Sequence, residues 1–420
     1  MLSGDIRYLD AIVEKAKEIS EFYGFSPIQT PHLEYADLFL RPLGETSDIV
    51  EKQMYTFKSR SGDMLALRPE GTASVMRAYQ QNGMSSLPQP VKLYYHGSFF
   101  RYENPQKGRF REFRQFGIEV LGEADPIIDA LVIKIFYLIL FELGFKNTLV
   151  HINSLGDKEC RPAYKKELSS YYKKKFNYLC KDCKRRFKEN PFRMLDCKEL
   201  ECVELRSQAP QMIEHVCEAC KEHFKNVLEF LDEGQIPYIL DNYLVRGFDY
   251  YGRTVFEIFL EEEKKEKSDE QAPSIALAGG GRYDELMAIL GGKILPAAGA
   301  AFGLERIIYE MKRLNLPLAL KSEPRVFLIQ IGPAAKKKSF TLIEELRNEG
   351  IPVAESLSRD NFRAQLKIAA KVGAQFSLIL GQKEAMDGSI ILRDMDEGTQ
   401  EIIMQNTLIE KLKSRLKTKK

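Results

Sequence analysis

Apolar residues recur at helical spacing over 6–22, at Leu9, Ile12, Val13, Ala16 and Ile19, and Gly24 follows as a C-terminal cap. The pattern then turns extended over 25–33, where Pro31 favours an edge or an interface over a central strand. Residues 53–58 and 64–67 read as paired short strands about Ser61-Gly62-Asp63, and 72–80 as a helix. Residues 92–101 and 112–121 form a long hairpin, with turn signals at Asn104-Pro105 and Lys107-Gly108. An apolar helix over 129–144 ends at Gly144, and 150–153 is a strand. From 156 to 237 the spacing is helical in a Lys- and Glu-rich background, as at 164–175 and 209–232, which marks a helical insertion. Residues 254–260 are rich in β-branched and aromatic side chains and read as a strand; 274–278 returns from a charged tip at 261–271. Residues 299–307 are a small-residue strand running into a helix.

After a linker at 316–323 the period changes again. Strands at 326–331, 353–355, 376–380 and 390–394 alternate with helices at 337–349, 361–372 and 402–416, a parallel or mixed α/β layer. The organisation expected is a mixed domain from 1–155 and 238–320, an insertion at 156–237, and a second domain at 324–420.

Composition narrows the function. Among 420 residues, 62 Lys+Arg against 60 Asp+Glu leave a formal net charge of +2, so any nucleic-acid contact must come from local patches. No apolar run is long enough to span a bilayer, and no signal-peptide pattern opens the chain, so no membrane role is expected. The seven cysteines, an odd number, suggest a reducing, cytoplasmic compartment without a disulfide framework. All seven fall in the insertion. Cys180-x-x-Cys183 and Cys217-x-x-Cys220 have the spacing of a structural zinc site, with Cys197 and Cys202 between them and Cys160 upstream. Seven thiols exceed one four-ligand site, so zinc at Cys180, Cys183, Cys217 and Cys220 and a set of reduced thiols both stay open.

Candidate chemistry concentrates in a few stretches. Arg246 follows Leu244-Val245 and precedes Gly247, Asp249, Tyr250 and Tyr251. A guanidinium near a carboxylate and two phenols suits a planar anion, or forms an Arg–Asp pair at a strand end. Glu70 sits between Pro69 and Gly71 at a turn into a helix. It is placed to accept from an ammonium group, and Thr72 to cap the helix. Arg101, Arg109, Arg111 and Arg114 crowd one hairpin, as a solvated basic loop or as a phosphate grip. Gly279-Gly280-Gly281 lets the backbone approach a ligand. Arg306 opens a helix, as a ligand contact or a surface side chain.

Two of these stretches, Arg-Gly-Phe-Asp-Tyr-Tyr-Gly-Arg-Thr-Val-Phe-Glu from Arg246 and Ala-Gly-Gly-Gly-Arg-Tyr-Asp over 278–284, resemble the histidine-specific motifs of histidyl-tRNA synthetases. The region about Pro31 resembles class II motif 1, the hairpin from Arg101 resembles motif 2, and 299–307 resembles motif 3. The resemblance covers about 5–416. It implies an α+β fold: a class II antiparallel sheet flanked by helices, a helical insertion and a C-terminal α/β anticodon-binding domain. It implies a histidine–tRNA ligase that makes histidyl-adenylate from L-histidine and ATP with Mg2+, then acylates the 3′ end of tRNA(His), and a homodimer joined through motif 1. By the same resemblance, Arg246 is catalytic and acts where other class II enzymes use an extra metal ion, and Arg101 grips the α-phosphate. Glu103, Arg109 and Arg306 hold the rest of ATP. Glu70, Gly71, Thr72, Arg101 and Gln115 receive the amino-acid moiety, while Glu119 and Tyr251, with Tyr250 beside them, read the imidazole. No metal ligand is assigned.

Members of the family usually begin with an Arg-Gly segment ahead of the first helix, whereas this chain starts Met1-Leu2-Ser3-Gly4-Asp5, so the segment is either truncated or absent. An alternative of another class is the non-catalytic, histidine-binding regulatory subunit of ATP phosphoribosyltransferase. The arginines of motifs 2 and 3 and the C-terminal domain speak against it.

Overall fold

The N-terminal periodicity becomes helix α1 (Ser3–Phe22), which buries Ile12, Val13, Ala16 and Ile19. The computed structural model describes residues 1–44, 49–103, 108, 110–261, 276–317 and 325–418. Arg109, the turn signals at 104–107, the charged tip beyond Glu261, the start of its return strand and most of the 316–323 linker lie outside the described residues.

The chain divides into two units, Met1–Leu318 and Ala319–Lys420. In the first, α1 is followed by β1 (Ser26–Pro27), β2 (Leu33–Tyr35), α2 (Asp37–Leu43), β3 (Thr56–Lys58), β4 (Met64–Leu67) and α3 (Thr72–Gln81). The long hairpin is β5 (Val91–Phe100) and β6 (Glu112–Leu121), and then come α4 (Ile127–Glu142) and β7 (Thr148–Ser154). The insertion holds α5 (Arg161–Lys174), α6 (Lys181–Glu189), α7 (Leu200–Arg206) and α8 (Glu218–Glu233). The unit closes with β8 (Tyr238–Leu240), β9 (Gly252–Leu260), β10 (Ala276–Arg282), α9 (Leu286–Ile289), β11 (Ala297–Gly303) and α10 (Leu304–Arg313).

Among the described residues, eight strands form one sheet in the order β1-β5-β6-β11-β10-β9-β7-β8. The inner pairings are antiparallel, and only β1 on β5 and β8 on β7 run parallel. One face packs on α1, α4, α8 and α10. Its centre is a line of aromatic rings, Tyr94–Phe116–Phe302–Phe136, with centroids 5.5–5.8 Å apart. The opposite face meets α2, α3 and α9, and carries the polar side chains discussed below.

The second unit contains β12 (Val326–Gln330), α11 (Pro333–Asn348), β13 (Val353–Glu355), α12 (Phe362–Lys371), β14 (Phe376–Leu380), α13 (Gln382–Asp387), β15 (Ser389–Asp394), β16 (Gln400–Met404) and α14 (Leu408–Thr418). Its sheet runs β13-β12-β14-β15-β16, the first three strands parallel and the last two antiparallel, so it is the mixed α/β layer expected.

Two expected helices differ. The one at 209–232 begins only at Glu218, because Pro210 and the extended Val216-Cys217 pair break it. The one at 402–416 is strand then helix. The edge of β15 offers backbone partners to Gln400–Met404, and the spacing of Leu408 and Leu412 starts the helix six residues later.

Candidate active site

Alternation on the central sheet decides which side chains meet a ligand. In β6, Phe116, Ile118 and Val120 enter the helical core, so Gln115 and Glu119 face the other way. In β9, Phe256 and Ile258 turn inward and Glu257 outward. On that outward face lies a cavity of about 360 Å³. Its wall includes Glu70, Gly71, Thr72, Arg101, Glu103, Gln115, Arg246, Tyr250, Tyr251 and Arg306, so the structure brings these expected residues together. Glu119 stands just behind the wall, 1% exposed, and Arg109 lies outside the described residues.

Glu70 takes the capping role that the sequence suggested for Thr72. Its carboxylate accepts from the Thr72 N–H at 2.6 Å and the Ala73 N–H at 2.9 Å, at the open end of α3. The Thr72 hydroxyl instead donates to Glu119 at 2.9 Å. Tyr95 donates to the same Glu119 oxygen at 3.2 Å, and Tyr283 donates to the other oxygen. Burial pushes the carboxyls of both glutamates up, Glu119 well above the usual range; Glu70 adds to the effect on Glu119, and the Thr72 and Tyr95 hydroxyls oppose it.

Arg246 sits in a loop ahead of β9. It pairs with Glu257, not with Asp249, and its guanidinium lies 5.5 Å from the centre of the Tyr251 ring. Its Nε has no hydrogen-bond partner among the described residues. The three glycines chiefly make room for the protein's own groups: Gly279 for Arg246, Gly280 for Gly299 and Ala300, Gly281 for the β9 backbone. Asp249 belongs to the insertion side, where Arg193 reaches it at 2.9 Å and Asn190 at 3.1 Å.

At the other end of the cavity, Arg101 donates to the Pro69 carbonyl at 2.9 Å and lies near the rings of Phe113 and Phe248, 5.0 and 5.7 Å from their centres. Arg306, in the first turn of α10, donates to the Ala276 carbonyl at 2.8 Å. Arg114 faces Glu305, its backbone N–H 2.8 Å from that carboxylate.

Tyr95, Glu257 and Tyr283 were not singled out by the sequence. Tyr95 packs between Gly71 and Gly117, filling the space where either would carry a Cβ. The signal for it was a phenol on the strand face that otherwise carries Val91, Leu93, Gly97 and Phe99. Tyr283 could have been found from its place directly after the glycine run. Arg282, in the same run, is wholly buried and structural. It holds Asp129 through Nε at 2.9 Å, and Asp129 in turn meets His223 at 2.8 Å.

Residues 1–307 match the family model described as histidyl-tRNA synthetase, and 325–415 that of the anticodon-binding domain. The histidine–tRNA ligase of Desulforamulus reducens is 40% identical over 415 residues, covering 99% of this chain and 97% of the relative. That of Thermodesulfovibrio yellowstonii is 43% identical over 407 residues, covering 97% and 94%. The crystal structure of apo histidyl-tRNA synthetase from S. aureus superposes with a TM-score of 0.80 at 31% identity, over 98% of this chain and 96% of that one. An ATP phosphoribosyltransferase regulatory subunit/histidyl-tRNA synthetase from Bacillus halodurans shares the fold, with a TM-score of 0.61 at 20% identity over 90% of this chain and 96% of that one.

Proposed function

The chain belongs to the histidyl-tRNA synthetase family, and we propose that it is a histidine–tRNA ligase working through the cavity on the outer face of its central sheet. The observation that carries this reading is Arg246. A partly buried guanidinium, whose buried Nε has no partner among the described residues, is held by Glu257 on the same cavity as the buried carboxylate of Glu70, with Glu119 directly behind it.

In the first step the histidine carboxylate attacks the α-phosphorus of ATP, and pyrophosphate leaves. Negative charge develops on phosphate oxygens, so cations fixed in advance dominate the barrier. Arg246 meets the reacting carboxylate and phosphate. Arg101, braced by Pro69, grips the α-phosphate, and Arg306 and Arg109 hold the remaining phosphates and adenosine. Glu70 and Gln115 receive the α-ammonium, with Gly71 and Thr72 beside them. Glu119 and Tyr251, with Tyr250 nearby, read the imidazole, so an analogue that cannot pair leaves buried polar groups unsatisfied. In the second step a hydroxyl of the terminal ribose of tRNA(His) displaces AMP, and the second unit contributes the anticodon contacts.

Mg2+ arrives with ATP. Glu103 and Glu305 offer the hard oxygen donors it takes beside phosphates, and it would neutralise phosphate charge there. A homodimer through the Pro31 region is supported by Leu33 and Tyr35, 47% and 63% exposed on an edge strand of the three-stranded β2-β4-β3 sheet. A cytoplasmic setting fits the seven free thiols. A purely regulatory, histidine-sensing role is disfavoured by the arginines on the cavity and by the match of 325–415 to an anticodon-binding domain.

The test is histidine-dependent ATP–pyrophosphate exchange followed by charging of tRNA(His). Exchange that requires histidine supports the reading, and its absence in the intact chain overturns it.

A further inference from the structure

The seven cysteines do not form one cluster around the two Cys-x-x-Cys pairs. Each pair heads its own group. Cys180, Cys183, Cys197 and Cys202 bring four sulfurs within 4.8 Å of one another; Asp157, Cys160, Cys217 and Cys220 do the same with three sulfurs and a carboxylate oxygen. The excess of seven thiols over one four-ligand site is thereby absorbed: four thiols in one group, three in the other, and Asp157 as the eighth ligand. We propose that these are two structural zinc sites, a tetrathiolate and a three-thiolate, one-carboxylate site, built into the insertion.

Three observations carry the assignment. The first is size. Ligands about 2.3 Å from a tetrahedral zinc stand about 3.8 Å apart, and Cys180 Sγ lies 3.8 Å from Cys197 Sγ. In the second group the Asp157 carboxylate is 3.1 Å from Cys220 Sγ and 3.9 Å from Cys217 Sγ. The second is the surrounding hydrogen bonds. Backbone N–H groups point at sulfur: Cys183 to Cys180 at 3.3 Å, Cys180 to Cys202 at 3.4 Å, and Cys217 to Cys160 at 3.0 Å. Asp157 is aimed by the N–H groups of Glu159 and Cys160, which donate to its other oxygen at 3.0 and 3.1 Å. Donors that orient ligands in this way are what a metal site requires around its first ring of atoms.

The third observation is the poverty of the local core. The insertion's buried cluster is small, and five of its members are Cys160, Cys183, Cys197, Cys202 and Cys220 themselves. Its helices α6 and α7 have only nine and seven residues. Short helices with so little apolar burial need a staple. Four thiolates in one group, and three thiolates with one carboxylate in the other, give four ligands and no open position in each, which suits zinc in a structural role.

The sites also reach the cavity. The stretch between Cys183 and Cys197 carries Arg193, which holds Asp249 at 2.9 Å and donates to the Leu43 carbonyl at 3.3 Å. Asp157 lies 3.9 Å from Arg253, and Arg161 donates to the Tyr251 carbonyl. Zinc would therefore fix the insertion against the loop that bears Arg246 and the two tyrosines.

The experiment is metal analysis of the full chain, purified without chelator, by plasma mass spectrometry and native mass spectrometry. Two zinc ions per chain are expected. Cys183→Ser and Cys220→Ser should each lose one and keep the other, which assigns one ion to each group. Should a variant fail to fold, thiol labelling of the unaltered chain decides. Two zinc ions released to a metallochromic indicator as the seven thiols are modified support the sites. No bound metal, iron in place of zinc, or disulfides in the purified reduced chain would overturn them. A single zinc lost with Cys183→Ser but kept with Cys220→Ser overturns the site at Asp157.

Discussion

Arg246 lies across the backbone of Gly279, its Nη1 2.5 Å from where a Cβ on that residue would stand. Gly279 faces Glu257 in the β9–β10 register, so the guanidinium crosses that pair to reach the Glu257 carboxylate. The glycine is needed by the cation, not by a turn. In Gly279→Ala the flexible end of Arg246 gives way before the sheet does. The fold should survive, with unchanged circular dichroism, while histidyl-adenylate formation falls about 10²-fold, the usual scale for a catalytic group misplaced by about 1 Å. Arg246→Ala should lose about 10²–10³ in the single-turnover rate. An unchanged rate in either variant would make Arg246 structural.

Histidine should be bound with proton release. The carboxyls of Glu70 and Glu119 are raised in the folded chain, so each keeps a proton at pH values above the ordinary 4.5 that an exposed carboxyl would already have lost. Their contribution favours the fold below 4.5 and is lost as pH rises through their folded values. The α-ammonium of histidine, set against Glu70, favours the ionised carboxylate and drives off a proton. Calorimetry in buffers of differing ionisation enthalpy should detect the release, and Glu70→Gln should reduce it.

Affinities should separate the two ligands. Glu119→Gln, Tyr251→Phe and Tyr283→Phe each remove one partner from a buried polar group, a loss of about 1–3 kcal/mol. Histidine binding should weaken by that amount while ATP binding changes little. Equal loss for both ligands would mean that the pocket has merely loosened.

Asp129 should be a stability determinant that is silent in catalysis. Burial opposes its ionisation, but the Arg282 charge and the hydrogen bond with His223 outweigh that and hold its carboxyl below the usual value of 3.8. The stabilisation is therefore fully present above pH 3.8 and lost as pH falls through the lower folded value. Asp129→Asn removes one of the two carboxylates paired with the buried Arg282 and leaves Asp284 as the other, which costs up to about 3–5 kcal/mol near neutral pH. Urea unfolding should show that loss, shrinking in acid below 3.8.

Removing residues 325–420 should spare histidine-dependent pyrophosphate exchange, because the cavity lies wholly within the first unit. Charging of tRNA(His) should fall sharply, and the residual affinity should be more salt-sensitive, since the contacts left are largely to phosphates. Unimpaired charging would argue against an anticodon role for the second unit.

Much of this arrangement was legible in the chain. The β-branched and aromatic content of 254–260 and the turn signals between 92–101 and 112–121 located the strands, and the wording around Arg246 and Gly279 located the pocket, because side chains that meet a ligand are spelled out locally. What was not legible depends on partners far away in sequence. Nothing near Asp249 announces that Arg193 will pair with it, so a local Arg–Asp pair looked reasonable. Thr72 carries a good capping side chain, but Glu119, 47 residues away on β6, takes its hydroxyl and leaves the cap to Glu70. Cysteine spacing identified metal-like pairs without revealing how they would be grouped, because the grouping depends on where α6 and α8 begin. At 402–416 the edge of β15 captured residues whose own spacing read as helix.

The pairing of Arg114 with Glu305, 191 residues apart, has a consequence for synthesis. The strands that wall the cavity come from both sides of the insertion, and Arg306 is among the last of its residues to be made. A ribosome-bound chain shorter than about three quarters of its length has no complete pocket. Histidine and ATP therefore cannot stabilise early intermediates and favour only the finished sheet, and long-range strand closure of this kind is slow. During the wait, the unpaired edges of β6 and β9 are open to wrong partners, so chaperone dependence of the newborn chain should end when β11 is released, well before the C-terminal unit is complete.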